Sequence, residues 1–100
     1  MVTILTERRC KPGKEEEFKK LSLELRAKVI FASGFYSAET LRSTDDPLLF
    51  LIIHTWMSVE QWEAWRNSPV RQEVIRNIEA LLVETEKDSV FQPTDLAEAP

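Results

Sequence analysis

His54 is the only histidine in a chain of 100 residues, and histidine is the side chain whose unperturbed pKa lies close to neutrality. Near the end of an apolar strand, at the rim of a sheet, it can act as a general base. The competing reading is a rim histidine with a satisfied hydrogen bond. Tyr36, the only tyrosine, offers a hydroxyl that can orient a phenol or a carbonyl. Arg8, Arg9 and Arg42 end strands and can face a developing oxyanion, or stand as solvated edge charges that oppose strand-to-strand aggregation. The chain's three tryptophans, Trp56, Trp62 and Trp65, are crowded into one short stretch. They can wall a pocket that stacks a flat aromatic ligand, or fill core and interface. Trp56 and Trp62 read as packing, and Trp65 stays open between the two.

Other chemistries find no support. The serines lack a nucleophile elbow or similar local signature. One histidine and one cysteine, far apart, cannot close a zinc site, and no acidic loop of calcium-binding type is present. Gly13 and Gly34, the only glycines, build neither a P-loop nor a dinucleotide fingerprint. Cys10 reads as a structural thiol; Arg8, Arg9 and Lys11 are the only activating neighbours in sequence. The net charge of −4, with scattered basic residues, argues against nucleic acid and against an anionic membrane surface. The longest apolar run, Leu48 to Ile53, cannot span a bilayer. The N-terminus is charged too early for a signal peptide, so a cytoplasmic location is expected.

These residues need elements to position them. Val2 to Arg9 reads as a strand, ended by Lys11-Pro12-Gly13. Lys14 to about Ala32 reads as a helix: Glu15, Glu16 and Glu17 suit its positive N-terminus, and Phe18, Leu21, Leu25, Val29 and Ala32 form one apolar stripe. Leu23 and Ile30 lie off that stripe and mark either a second contact surface or an earlier helix end. Phe35 to Arg42 reads as a second strand, and the turn cluster Ser43 to Pro47 as a hairpin loop. Leu48 to Trp56 is a third strand, apolar on both alternating faces. Ser58 with Gln61 forms a capping-box start for a helix carrying Val59, Trp62 and Trp65. Ser68-Pro69 starts another helix, with Val70, Val74, Ile78 and Leu81 as its stripe. Glu84 to Gln92 holds the last strand, and residues 93 to 100 read as an extended or disordered tail.

The order is β-α-β-β-α-β, a ferredoxin-like α+β domain with a four-stranded antiparallel sheet, spanning residues 1 to 100. Right-handed crossovers put both helical layers on one side of the sheet. The other face is then bare, yet the third strand is apolar there too. A bare apolar face is a partner site, and an identical sheet, giving a two-fold homodimer, is the simplest partner. The alternative is a monomer with an unusually apolar sheet.

Gly34-Phe35 opening the second strand, followed by His54-Thr55-Trp56-Met57-Ser58-Val59-Glu60-Gln61-Trp62-Glu63-Ala64-Trp65-Arg66-Asn67-Ser68-Pro69, resembles the antibiotic biosynthesis monooxygenase (ABM) domains. The resemblance covers nearly the whole chain and is strongest from Trp56 to Pro69. It implies a dimeric α+β barrel and oxidation of polycyclic phenols or quinols by O2 with no cofactor. Under it, His54 serves as base, Tyr36 and an arginine as anion stabilisers, and Trp65, Thr6 and Arg8 as substrate contacts. The run Ala64-Trp65 to Ser68-Pro69 is also similar to the heme-degrading branch, which carries an asparagine on the first strand and an iron-ligating histidine one helix later. Thr6 and Ile75 stand at those two places, and an isoleucine cannot ligate iron. Two alternatives therefore stand beside the oxygenase: a non-catalytic binding or sensing module of the same fold, and a heme binder for which His54 is the only histidine available.

Overall fold

A computed structural model describes residues 1–98. It contains β1 (Val2–Arg9), α1 (Glu15–Val29), β2 (Phe35–Arg42), β3 (Leu49–Trp56), α2 (Val59–Arg66), α3 (Pro69–Glu79) and β4 (Lys87–Phe91). The strands form one antiparallel sheet in the order β2-β3-β1-β4, the α+β arrangement that the sequence predicts. Asp95–Glu98 closes into a 3-10 turn where an extended or disordered tail is expected. The rest of that expectation, residues 99 and 100, lies outside the described residues.

Local sequence explains most element ends. Gly13 and Gly34 have φ of 81° and 86°, a region that L side chains avoid. Gly34 has a second constraint: an added Cβ would lie 2.4 Å from the Gln61 side chain. The first helix ends at Val29, before Ile30, which is exposed together with Leu23. The Ser58 hydroxyl caps α2 by accepting from the Gln61 backbone N–H, and Ser68 caps α3 by accepting from the Arg71 N–H, with Pro69 in the first turn. Both satisfy amides that a helix start leaves without partners.

Period-two alternation sorts the sheet into two faces. Val2, Ile4, Thr6 and Arg8 of β1 point under the helices and are buried. There Trp56, Ile4, Val2, Trp62 and Val29 form one part of the core, and Phe18, Leu25, Val74, Ile75 and Ile78 form the other, with Trp65 packed against both. The opposite face carries Leu5, Leu41, Leu49 and Leu51 around a shallow depression. The stripe expected on α3 is corrected at its start. Val70 is exposed, while Arg71 and Ile75 are buried beside Val74 and Ile78. On this rolled face Ile75 joins the core and Arg71 meets an acidic partner inside the fold, Glu86.

Candidate functional site

Helix α1 packs against α3, toward the β1 side of the sheet, and the inward positions of β2 are the slim Ala38 and Thr40. Little bulk is left between α1 and the β2–β3 half of the sheet. The result is a cavity of about 470 Å³, floored by Phe50 and Ile52 of β3 and walled by Phe18, Leu25, Trp62 and Trp65. Arg26 of α1 reaches over its mouth and donates from Nη2 to the Ala38 carbonyl at 3.0 Å.

Four of the five site residues expected from sequence, His54, Trp65, Thr6 and Arg8, line this cavity. Tyr36 does not. It is 63% exposed, because the β2–β3 register slips between Phe35 and Ser37; a residue inserted into one strand of a ladder is turned out of the alternation. Trp56, expected as packing, is fully buried and also hydrogen-bonded within the site.

A directed chain of hydrogen bonds crosses the sheet from β3 through β1 to β4, and its middle members, His54 and Thr6, line the cavity. Trp56 and His54 sit two apart on β3 and share its inner face. The indole Nε1–H can only donate, and it donates to His54 Nδ1 at 2.9 Å. The proton of the neutral imidazole is therefore on Nε2, which donates to Thr6 Oγ1 at 2.9 Å. Thr6 faces Asp88 across the β1–β4 ladder, and its hydroxyl donates to Asp88 Oδ1 at 2.6 Å. The other Asp88 oxygen lies 3.3 Å from Arg66 Nε. In this geometry the imidazole of His54 accepts from Trp56 and donates to Thr6. Its one lone pair is occupied by Trp56, and burial, reinforced by the charges of Arg8 and Arg71, pushes its pKa down to about 4.

Behind the cavity lining, Glu86 bridges the buried guanidiniums of Arg8 and Arg71. Arg8 Nε donates to Oε1 at 2.8 Å and Arg71 Nη2 to Oε2 at 2.7 Å. Burial by itself raises the Glu86 carboxyl, but the charges and hydrogen bonds of Arg8 and Arg71 outweigh it and hold the group below the usual carboxylate range. Sequence reasoning missed Arg71, Glu86 and Asp88. Only Arg8 carried a signal, its even-numbered place in step with Val2, Ile4 and Thr6.

Both shifts act in the same direction with pH. Above about pH 6.5 His54 is neutral in the folded and unfolded chain alike. As pH falls from there to about 4, the unfolded chain binds a proton that the fold refuses, so stability is lost over that window, on the order of 3 kcal/mol in all. Glu86 adds stability that is present above its ordinary carboxylate range and is lost as pH falls through its lower folded value. Urea midpoints measured from pH 7.5 to 4 should therefore fall steadily. In His54→Gln the slope between pH 6.5 and about 5 should disappear, while the carboxylate part below it remains; an unchanged slope above pH 5 in that variant would contradict the buried neutral imidazole.

Residues 1–77 match the family model for antibiotic biosynthesis monooxygenase, ABM. The chain belongs to that family. Solved structures similar to this ABM-family chain include a conserved protein from Methanosarcina mazei Go1, at a TM-score of 0.87 and 14% identity over 93% of this chain and 92% of the other. A Mycobacterium tuberculosis protein aligns at a TM-score of 0.83 and 17% identity, covering 94% and 95% of the two chains. SnoaB, a cofactor-independent oxygenase from Streptomyces nogalater, aligns at a TM-score of 0.83 and 19% identity over 94% and 93%. At these identities the likeness is one of fold. No curated protein matches this chain. Among the described residues no helix is long and apolar enough to cross a membrane.

Proposed function

We propose that this ABM-family chain binds a flat aromatic small molecule of anthrone or hydroquinone type in the cavity and promotes its oxidation by O2 without a cofactor. The observation that carries this reading is the pairing of an apolar-walled cavity beside Trp65 with the Thr6 hydroxyl that lines it, backed by the Asp88 carboxylate to which that hydroxyl donates. Trp65 stacks the ring. The enol or phenol O–H of the substrate donates its proton to Thr6 Oγ1, which passes its own proton to Asp88; the substrate is left as an electron-rich anion. His54, held neutral, orients the Thr6 hydroxyl by donating to it and is a positioning residue. The anion gives an electron to O2, the radicals combine through a new C–O bond, and the proton held at Asp88 completes a hydroperoxide. For an anthrone, loss of water from that hydroperoxide leaves the quinone. The apolar walls keep solvent from the anion.

The expected homodimer belongs to the same reading. It is supported by the apolar outer face of the sheet, on which Leu41 and Phe91 are 44% and 52% exposed. A binding or sensing role without turnover is supported by the same cavity. The two are separated by comparing aerobic and anaerobic conversion of an anthrone: oxygen-dependent quinone formation supports the oxygenase, and binding without turnover supports the sensor. The heme-binding reading has less in its favour, since both nitrogens of His54 are engaged, by Trp56 and Thr6.

Trp65 gives a direct test of the cavity. Addition of an anthrone should quench tryptophan fluorescence. Trp65→Phe should diminish the quench and weaken binding by about 0.5–1.5 kcal/mol, the scale of an aromatic pair contribution. Equal affinity in the two proteins, with the fold intact, would reduce Trp65 to packing and remove it from the site.

A further inference from the structure

The charge lining the cavity is opposite in sign to that of the chain. Five cations line it, Arg8, Lys19, Arg26, Arg42 and Arg71, against two acids, Glu15 and Glu16, although the chain carries −4 overall. Lys19, Arg26, Arg42, Glu15 and Glu16 are exposed, so water and salt screen them. Arg8 and Arg71 are each 7% exposed, and their charge persists inside the cavity. Glu86 is held ionised and touches both; the other buried carboxylate, Asp88, is engaged by Thr6 and Arg66 instead, so one carboxylate faces two guanidiniums. His54 stays neutral and adds nothing.

The hydrogen bonds tell the same story. Arg8 uses only Nε on Glu86. Its two terminal nitrogens, the fork that matches a carboxylate, have no protein acceptor among the described residues. Arg71 uses Nη2 on Glu86 and Nη1 on the Arg66 carbonyl, the latter at a long 3.4 Å. A buried guanidinium with unused donors is costly unless something accepts from it. Both arginines open onto the cavity, where water accepts from them until a ligand with an acidic group displaces it.

We propose that the cavity takes its aromatic ligand as a carboxylate monoanion, with the carboxylate seated on Arg8 and Arg71 and the ring directed toward Trp65. The proposal rests on the aromatic-ligand reading of the cavity and adds the charge and orientation of that ligand. Arg8 and Arg71 become specificity-determining residues: they favour the acid over a neutral molecule of the same shape.

The test uses two matched probes, 2-naphthoate and 2-naphthamide, titrated calorimetrically into the full chain at pH 7.5. The naphthoate should bind roughly tenfold to hundredfold tighter, the range expected for hydrogen bonds to charged groups. Arg8→Gln should bring naphthoate down to about the naphthamide level and change naphthamide affinity far less, since the amide loses one neutral-acceptor bond and no ion pair; Glu86 keeps its bond to Arg71, so the variant leaves no uncompensated buried acid. Arg71→Gln is the second variant and should have the same effect. Arg76→Gln, which removes one exposed charge on α3 away from the cavity, should keep the preference in full. Equal binding of the two probes by the unmodified chain overturns the proposal and leaves the aromatic cavity standing. A preference that survives both Arg8→Gln and Arg71→Gln, or that falls equally in Arg76→Gln, overturns it as well. If neither probe binds, the aromatic reading of the cavity fails and takes the proposal with it.

Discussion

Leu51→Lys should convert a dimeric protein into a monomer at concentrations where the unmodified chain weighs twice its 11.6 kDa. Leu51 sits at the middle of β3 on the outer face, between Leu5 and Glu7 of β1 and Leu41 of β2. In a two-fold sheet-to-sheet contact every change occurs twice. An ammonium group brought into such a contact loses its water on both copies, a cost that Glu7 opposite it offsets only in part, so dissociation should strengthen by roughly tenfold to a hundredfold. The neighbouring Ile52→Lys is the informative control. Ile52 points into the cavity, so that variant should lose ligand binding and some stability while its pairing persists. Light scattering at tens of micromolar decides the matter. A monomeric unmodified chain, or a Leu51→Lys protein that still pairs, would remove the outer face as the interface.

Glu86→Ala should be the most damaging single substitution at the site, lowering stability by about 3–5 kcal/mol, the usual cost of removing one partner from a buried ion pair. The reason lies with what remains. Arg8 and Arg71 would be left as two buried like charges, each having lost its carboxylate. Glu84→Ala offers the contrast. Its side chain is 70% exposed and 3.6 Å from Arg9, and exposed pairs contribute within about 1 kcal/mol. Replacing the whole buried set, as Arg8→Met, Glu86→Leu and Arg71→Met together, should restore most of the stability, because apolar groups of similar volume often replace buried ions without loss. The same triple variant should have no preference for naphthoate. Chemical denaturation reads the first effect and calorimetry the second. A Glu86→Ala protein as stable as the parent would mean that the two arginines are not held as the structure places them.

The sequence alone determined the element order, most boundaries and the two-faced nature of β3. Phe35–Arg42 is read in full from its pattern, the helix starts at Ser58 and Ser68 from their capping chemistry, and the glycine at 34 from its place after an apolar helix stripe. All of these depend on neighbours within a turn or two of chain, where periodicity and capping act. Residue type singled out His54, and the family resemblance added Trp65, Thr6 and Arg8, without showing which face of the sheet they share. Tyr36 fell outside that group because a one-residue bulge, invisible in the pattern, turns it outward. What only the tertiary structure decided is the electrostatic state of the site. Glu86 meets Arg71 and Arg8 from positions 15 and 78 residues away in sequence, and Asp88 meets Thr6 across 82. A charge in sequence reads as solvated by default, since burying one is costly unless a partner waits inside. The partners here are brought together only by the β1–β4 register and the roll of α3. Those same long-range contacts turn the one histidine from a free base into a neutral donor, and leave a positive cavity in a negatively charged chain.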